Sequence, residues 1–500
     1  MDEKAPELHQ LESQTDRPEE DLPAYDDAET RRILRKADWR VIPCLAAMYL
    51  VSFIDRSNIG NAKVAGMNKD LHLTGMQYNI ALTAFFIPYA LLEIPCNVIL
   101  KLTRPSIWMP SIMLAWGIVM TLTGIVKDFK GLVICRVFLG ITEVDAPVPN
   151  ATCSQLADNQ VYTSLASFQA QHTFLPFGID VSLSGAFSGL LAYAIQHMEG
   201  IAHLGGWSWI FILEGLATIV IAICMYIFLP DGPATAKFLT QEEKRFIITR
   251  LETETGSGEG RTTNSDKLTV RQVMEALKEW RIYVAVVIYW GNTVAVYAFS
   301  VTIPTVIRDL GYSAANAQLM TIPVYVCAMI CAVVSAMLSD RYKQRSSFIL
   351  GACVTAALGL LALIASPHPN YPGLTYGFLF LAASGLYSII VPAICWIANN
   401  LAPSGKRAVG MAMLISGGNL GGIVGSNIFL EREAPHYWSG YGVCLAVVLA
   451  AIVSVLVLRW RYKKDNTARD KMTLAEIRAK YTDDELVRLG DASPLWRYAL

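Results

Sequence analysis

Charge is scarce in this chain of 500 residues: Asp, Glu, Lys and Arg together make up 17%, and they nearly cancel to a net charge of −1. A balance of that kind supplies no basic surface for a nucleic acid. The 10 cysteines include no CxxC pair, and none of the 7 histidines stands at ligand spacing from a second one. A metal centre and a dithiol redox site are therefore not expected. No nucleophile elbow and no phosphate loop occurs. The run GGNLGG at Gly417 lies inside an apolar block rather than after a strand, so its glycines read as close helix packing or a flexible gate. No apolar leader opens the chain; its first thirty residues are polar and acidic, as a disordered tail is. The sum excludes most enzyme chemistry, and no cofactor is expected.

What fills the chain instead is apolar sequence, 53% of it. It comes in blocks near twenty residues, and a helix of about that length spans the ~30 Å hydrocarbon layer. Six blocks run from Val41–Gly60 to Trp209–Leu229, a polar stretch comes next, and six more run from Val284–Ile307 to Tyr441–Leu458. The pattern predicts an all-α integral membrane protein of twelve transmembrane helices in two six-helix bundles, residues 41–229 and 282–459. Residues 1–40 are then a disordered amino-terminal tail ending in a basic juxtamembrane segment, 230–281 a linker with two amphipathic pieces, and 460–500 a carboxyl-terminal tail. Arg31, Arg32, Arg35, Lys36 and Arg40 crowd the first block, which puts both termini and the linker in the cytoplasm.

One stretch breaks the pattern. From residue 144 to 182 the sequence turns aperiodic, rich in Pro, Asp, Asn and Gln, and no Lys or Arg occurs between Arg136 and Lys237. The flanking fourth and fifth blocks are short, so helices 4 and 5 are expected to be irregular.

Charges inside spans are costly and each needs a reason. Asp55 and Arg56 stand side by side after about fourteen residues of helix, well into the bilayer at ~1.5 Å each. A carboxylate that can take a proton beside a guanidinium that can grip an anion suits coupled transport; a structural ion pair is the plainer reading. Arg136 and Glu143, seven apart, share a helix face two turns from each other, and Glu143 is a second proton-coupling candidate. Asn58, Asn292 and Asn419 are polar enough to touch a substrate, although an Asn in a span more often bonds a neighbouring helix. Glu93 and Glu214 are further charges with a coupling or a structural role. Asp340 and Arg341, at the end of the eighth block, suit a gating loop.

The strings FIDRSNIGNAKVAGMNKDLHLTGMQYNIALTAFFIPYALLEIPCNVILKL, ICRVFLGITE, GGWSWIFILEG and DDELVRLGDASPLWRYAL closely resemble the fungal allantoate permease family, anion–cation symporters of the major facilitator architecture. The resemblance runs from Arg31 to Leu500. It implies proton-coupled uptake of a small organic anion such as allantoate, nicotinate or pantothenate, by a monomer in the plasma membrane. By analogy Asp55 and Glu143 carry the proton, Arg56 faces the substrate carboxylate and Arg136 bridges between them. Residues 144–182 depart from the family, in the manner of a compensated frameshift or a misjoined exon. Efflux of a metabolite, and an inactive or sensor-like paralogue, are the competing readings.

Overall fold

A chain crossing hydrocarbon satisfies its own N–H and C=O groups within a helix or a closed barrel, and helix is what this sequence adopts. The computed structural model describes residues 27–143, 184–231, 236, 238–254, 270–366 and 371–500, and no strand occurs among them. The first half contains α1 (Asp27–Val64), α2 (Gly75–Leu102), α3 (Pro105–Thr123), α4 (Phe129–Thr142), α5 (Ser184–Ile195) and α6 (Gly206–Phe228). The second contains α7 (Trp280–Asp309), α8 (Ala314–Tyr342), α9 (Arg345–Ala365), α10 (Pro372–Asn399), α11 (Gly405–Asn427) and α12 (Trp438–Arg469). Of these, 8 are long and apolar enough to cross a membrane: α3, α6 and α7 to α12. The irregular course expected for helices 4 and 5 falls on residues 144–183, outside the described residues.

Local chemistry sets the helix starts. Thr74 and Gln77 form a reciprocal capping box at the head of α2. The Asp128 carboxylate accepts from Gly131 N at 2.9 Å to open α4, and Ser313 Oγ accepts from Asn316 N at 3.3 Å to open α8. Pro105 takes the first turn of α3, where its missing N–H costs nothing. The helical ladders of α10 and α11 are interrupted at Ser388–Ile389 and at Leu420.

Each half has its own core. Met113, Trp116, Leu139 and Phe211 are buried in the first; Ile349, Leu360, Trp396 and Val448 in the second. Large apolar residues on the opposite faces, such as Ile118, Val220, Leu358 and Val453, stay exposed, which is what a lipid-facing belt requires.

Among the described residues, several contacts join the halves toward the end where α1 finishes. A β-carbon on Gly60 of α1 would lie 2.7 Å from the Val301 carbonyl oxygen of α7, so only glycine admits that approach. Asn427 of α11 donates to Thr83 of α2 at 2.8 Å, Gln318 of α8 to the Asn61 carbonyl at 3.4 Å, and Lys63 pairs with Glu431 at 2.9 Å. The opposite end carries the chain's described first residues, the linker and the tail. There α1 already begins at Asp27, ahead of the expected bundle edge, and its Lys36 pairs with Glu243 of the linker at 2.8 Å. The linker's amphipathic pieces are the helices Gln241–Glu254 and Val270–Lys278.

Candidate functional site

The site grows from α1. Its second half carries Ser52, Asp55, Arg56 and Asn58 within two turns, and such a helix must turn its polar face away from lipid. It faces inward, against both halves. Between them lies a cavity whose wall is built from Ser52 and Arg56 of α1, Tyr89 of α2, Asn292 and Tyr297 of α7, Tyr387 of α10 and Asn419 of α11.

Arg56 is the cationic group on that wall. Its Nε donates to Glu143 Oε1, and its Nη1 donates to the Tyr297 hydroxyl at 2.8 Å. The Ser52 hydroxyl adds a donor to the same Glu143 oxygen at 3.0 Å. Aromatic faces surround the guanidinium, with the ring centres of Phe53 and Tyr89 5.2 and 5.0 Å from its carbon. That geometry favours a cation by ring quadrupole attraction. Glu143 comes directly after the last residue of α4 and is buried, 2% exposed. Among the described residues its carboxylate is held by the Arg56 guanidinium and the Ser52 hydroxyl.

A second, smaller cavity lies behind this pair and is lined by Asp55, Arg56, Arg136 and Glu143 together. Four sequence-predicted charges thus converge on one place. Their pairing differs from the expected one: among the described residues Glu143 pairs with Arg56, while Nε and Nη2 of Arg136 have no hydrogen-bond partner although the side chain is buried. The shared face of Arg136 and Glu143 does not bring them into contact because Glu143 ends the helix and its side chain reaches toward α1.

Asp55 and Asn58 look the other way from Arg56. Asn58 Nδ2 lies 3.3 Å from Asp55 Oδ1 and also donates to Glu214 Oε2 of α6; Thr218 Oγ1 donates to Asp55 Oδ2 at 3.4 Å. Asn58, expected at the substrate, thus points into the first bundle and does not line the larger cavity. Glu93 of α2 accepts from Asn419 Nδ2 at 3.3 Å, a bond that joins the two halves beside that cavity. Asp340 pairs with Arg345 at 3.3 Å at the far end of α8, and Arg341 is exposed there; neither lines either cavity. Among the described residues no cluster of His, Cys, Asp and Glu could hold a metal ion. What residue-by-residue reading missed is the aromatic wall, since a Tyr or Phe in an apolar block carries no signal of which way it faces.

The sequence match to known proteins is broad. The family model described as Major Facilitator Superfamily matches residues 45–426 and 285–480. A Penicillium expansum protein named MFS-type transporter cnsO is 35% identical over 490 residues, 95% of this chain and 92% of the relative. A Saccharomyces cerevisiae protein named high-affinity nicotinic acid transporter is 30% identical over 484 residues, 95% of this chain and 86% of the relative. Among solved structures, an inward-facing, unoccupied bacterial homolog of the human lysosomal transporter Spinster aligns with a TM-score of 0.60 at 15% identity. That alignment covers 83% of this chain and 94% of the other, and speaks to the fold alone.

Proposed function

The chain belongs to the Major Facilitator Superfamily, and from that premise we propose that it imports a small organic anion together with protons, as an anion–cation symporter of the allantoate permease type. It is a membrane transporter and not an enzyme. On this reading it works as a monomer in the plasma membrane with both termini cytoplasmic, and α1–α6 rock against α7–α12 around the cavity between them.

The observation that carries the reading is that Arg56, on the cavity wall, is paired with Glu143 behind it. A buried guanidinium already neutralised by a carboxylate cannot take up an anion without leaving an excess negative charge in a low-dielectric site, which is costly. A proton delivered to Glu143 resolves the conflict: the carboxyl becomes neutral, the Arg56 fork is released, and the substrate carboxylate takes its place. Anion and proton then enter the site as one neutral load. Loss of the anion to the other side lets Glu143 release its proton and close again on Arg56. Asp55, in the second cavity with Arg136, serves as the second carboxyl through which the proton reaches or leaves Glu143. The nicotinic acid transporter among the relatives supports an organic acid as cargo.

Glu143→Gln tests the reading in reconstituted vesicles with labelled nicotinate as probe. The amide keeps the shape but takes no proton, so exchange of nicotinate across the membrane should persist while accumulation driven by a proton gradient falls at least ~tenfold. A variant that accumulates nicotinate like the wild type, or a wild type indifferent to a protonophore, refutes proton coupling.

A further inference from the structure

Granting the anion-symport reading, on which it rests, we infer that the cavity between the bundles selects a planar aromatic monocarboxylate, and favours one bearing a hydrogen-bond donor on its ring. Three features of the wall carry this. The first is its surface. Six aromatic side chains line the cavity, Tyr49, Phe53 and Tyr89 from one half and Tyr289, Tyr297 and Tyr387 from the other. Rings contributed from both sides offer a flat solute stacking and edge contacts that a saturated or highly hydrated one cannot match. A ureido or polyhydroxy acid would bring several donors and acceptors against a wall where Ser52, Thr293, Tyr297 and Asn419 are already engaged with protein groups, and each unmatched group is penalised.

The second is the count of cations. Among the described residues, Arg56 is the single basic side chain on the wall. Its Nε and Nη1 are engaged by Glu143 and Tyr297, so it offers grip for one carboxylate end. A dicarboxylate would leave its other charge buried against tyrosine rings without compensation. The third is Asn292. It is 2% exposed, it lines the cavity, and its Oδ1 has no hydrogen-bond partner among the described residues. A buried, unanswered acceptor is a place for a ligand donor. The other amide on the wall, Asn419, is already tied to Glu93. The Tyr89 hydroxyl also lacks a partner among the described residues, but it can donate as well as accept, whereas the Asn292 oxygen can only accept, so the ring donor is assigned to Asn292.

The test is calorimetric titration of the purified full-length protein with four probes of similar size: benzoate, 4-hydroxybenzoate, cyclohexanecarboxylate and benzamide. Benzoate should bind at least ~tenfold more tightly than cyclohexanecarboxylate and than benzamide. The added hydroxyl of 4-hydroxybenzoate should gain about fivefold, the size of one hydrogen bond, and Asn292→Leu should erase that gain, so that the variant binds the two benzoates equally. Should Asn292→Leu not fold, the wild-type ratio of the two benzoates decides alone: no gain from the hydroxyl overturns the donor assignment. Equal binding of cyclohexanecarboxylate and benzoate overturns the aromatic class and leaves anion transport standing. Equal binding of benzamide and benzoate removes the anion site itself, and the symport reading with it. Failure of all four to bind also overturns the class.

Discussion

Gly418 of α11 has no room for a side chain: a β-carbon there would overlap Cδ1 of Tyr289. Gly418→Ala must therefore displace that ring, which lines the cavity, and overpacking of this kind costs about 1–3 kcal/mol. The variant is expected to fold and to bind benzoate at least ~tenfold more weakly by calorimetry; unchanged affinity would mean that the ring yields elsewhere and does not shape the site. At this scale the sequence was informative about charges and silent about their partners. Asp55, Arg56, Arg136, Glu143 and Glu214 stand out because hydrocarbon tolerates no charge without a reason. Helical spacing grouped Arg136 with Glu143, yet Glu143 answers Arg56 from another helix. A tertiary contact of that kind is not encoded in any local period. Asn58 is the converse, a polar residue legible as important whose bonds go to Asp55 and Glu214 inside one bundle.

Among the elements, the carboxyl-terminal tail is the one whose placement no periodicity announces. Its amphipathic pieces are readable, and they are the short helices Leu474–Lys480 and Asp483–Leu489. Beyond them, residues 490–500 return to the base of the second bundle. Lys406 at the head of α11 bonds both oxygens of Asp491 at 2.9 Å and Glu279 at 2.9 Å. Trp396 Nε1 of α10 donates to the Ala499 carbonyl at 2.8 Å, and Asn466 of α12 exchanges two bonds with the Tyr498 backbone at 2.8 and 2.9 Å. The Tyr498 ring stacks on Tyr462 at 4.7 Å, and Arg469 donates to the carbonyls of Asp491 and Trp496 at 2.9 Å. One short segment thus ties α7, α10, α11 and α12 into a single body. Half of these bonds end on backbone carbonyls, which have no sequence signature. Deleting residues 490–500 should lower the melting temperature of the purified protein clearly. Lys406→Ala should reproduce much of the loss, on the order of 3–5 kcal/mol for a buried pair broken on one side. A truncated protein that melts with the full-length chain would reduce the tail to an ornament of the surface.

The whole molecule is two bundles pressed together toward one end. There Gly60 meets Val301, Asn427 meets Thr83 and Lys63 meets Glu431, while Arg56 sits on the wall of the cavity between the halves with its partner Glu143 behind it. The all-helical, membrane-spanning class was legible from apolar blocks alone, because block length matches bilayer thickness. The cavity was not, since it is built by helices of both halves that stand far apart along the chain. On the proposed cycle, the charge of the load is what permits the bundles to exchange their closed end: a neutral anion–proton pair can be carried where a bare anion cannot. Binding and protonation must then be one linked event. The measurement that tests this most directly is calorimetry of nicotinate binding in buffers of different ionisation enthalpy, which counts protons taken up per anion bound. The account predicts about one proton per nicotinate in the wild type and close to none in Glu143→Gln. Nicotinate that binds the wild type without taking up a proton would contradict it.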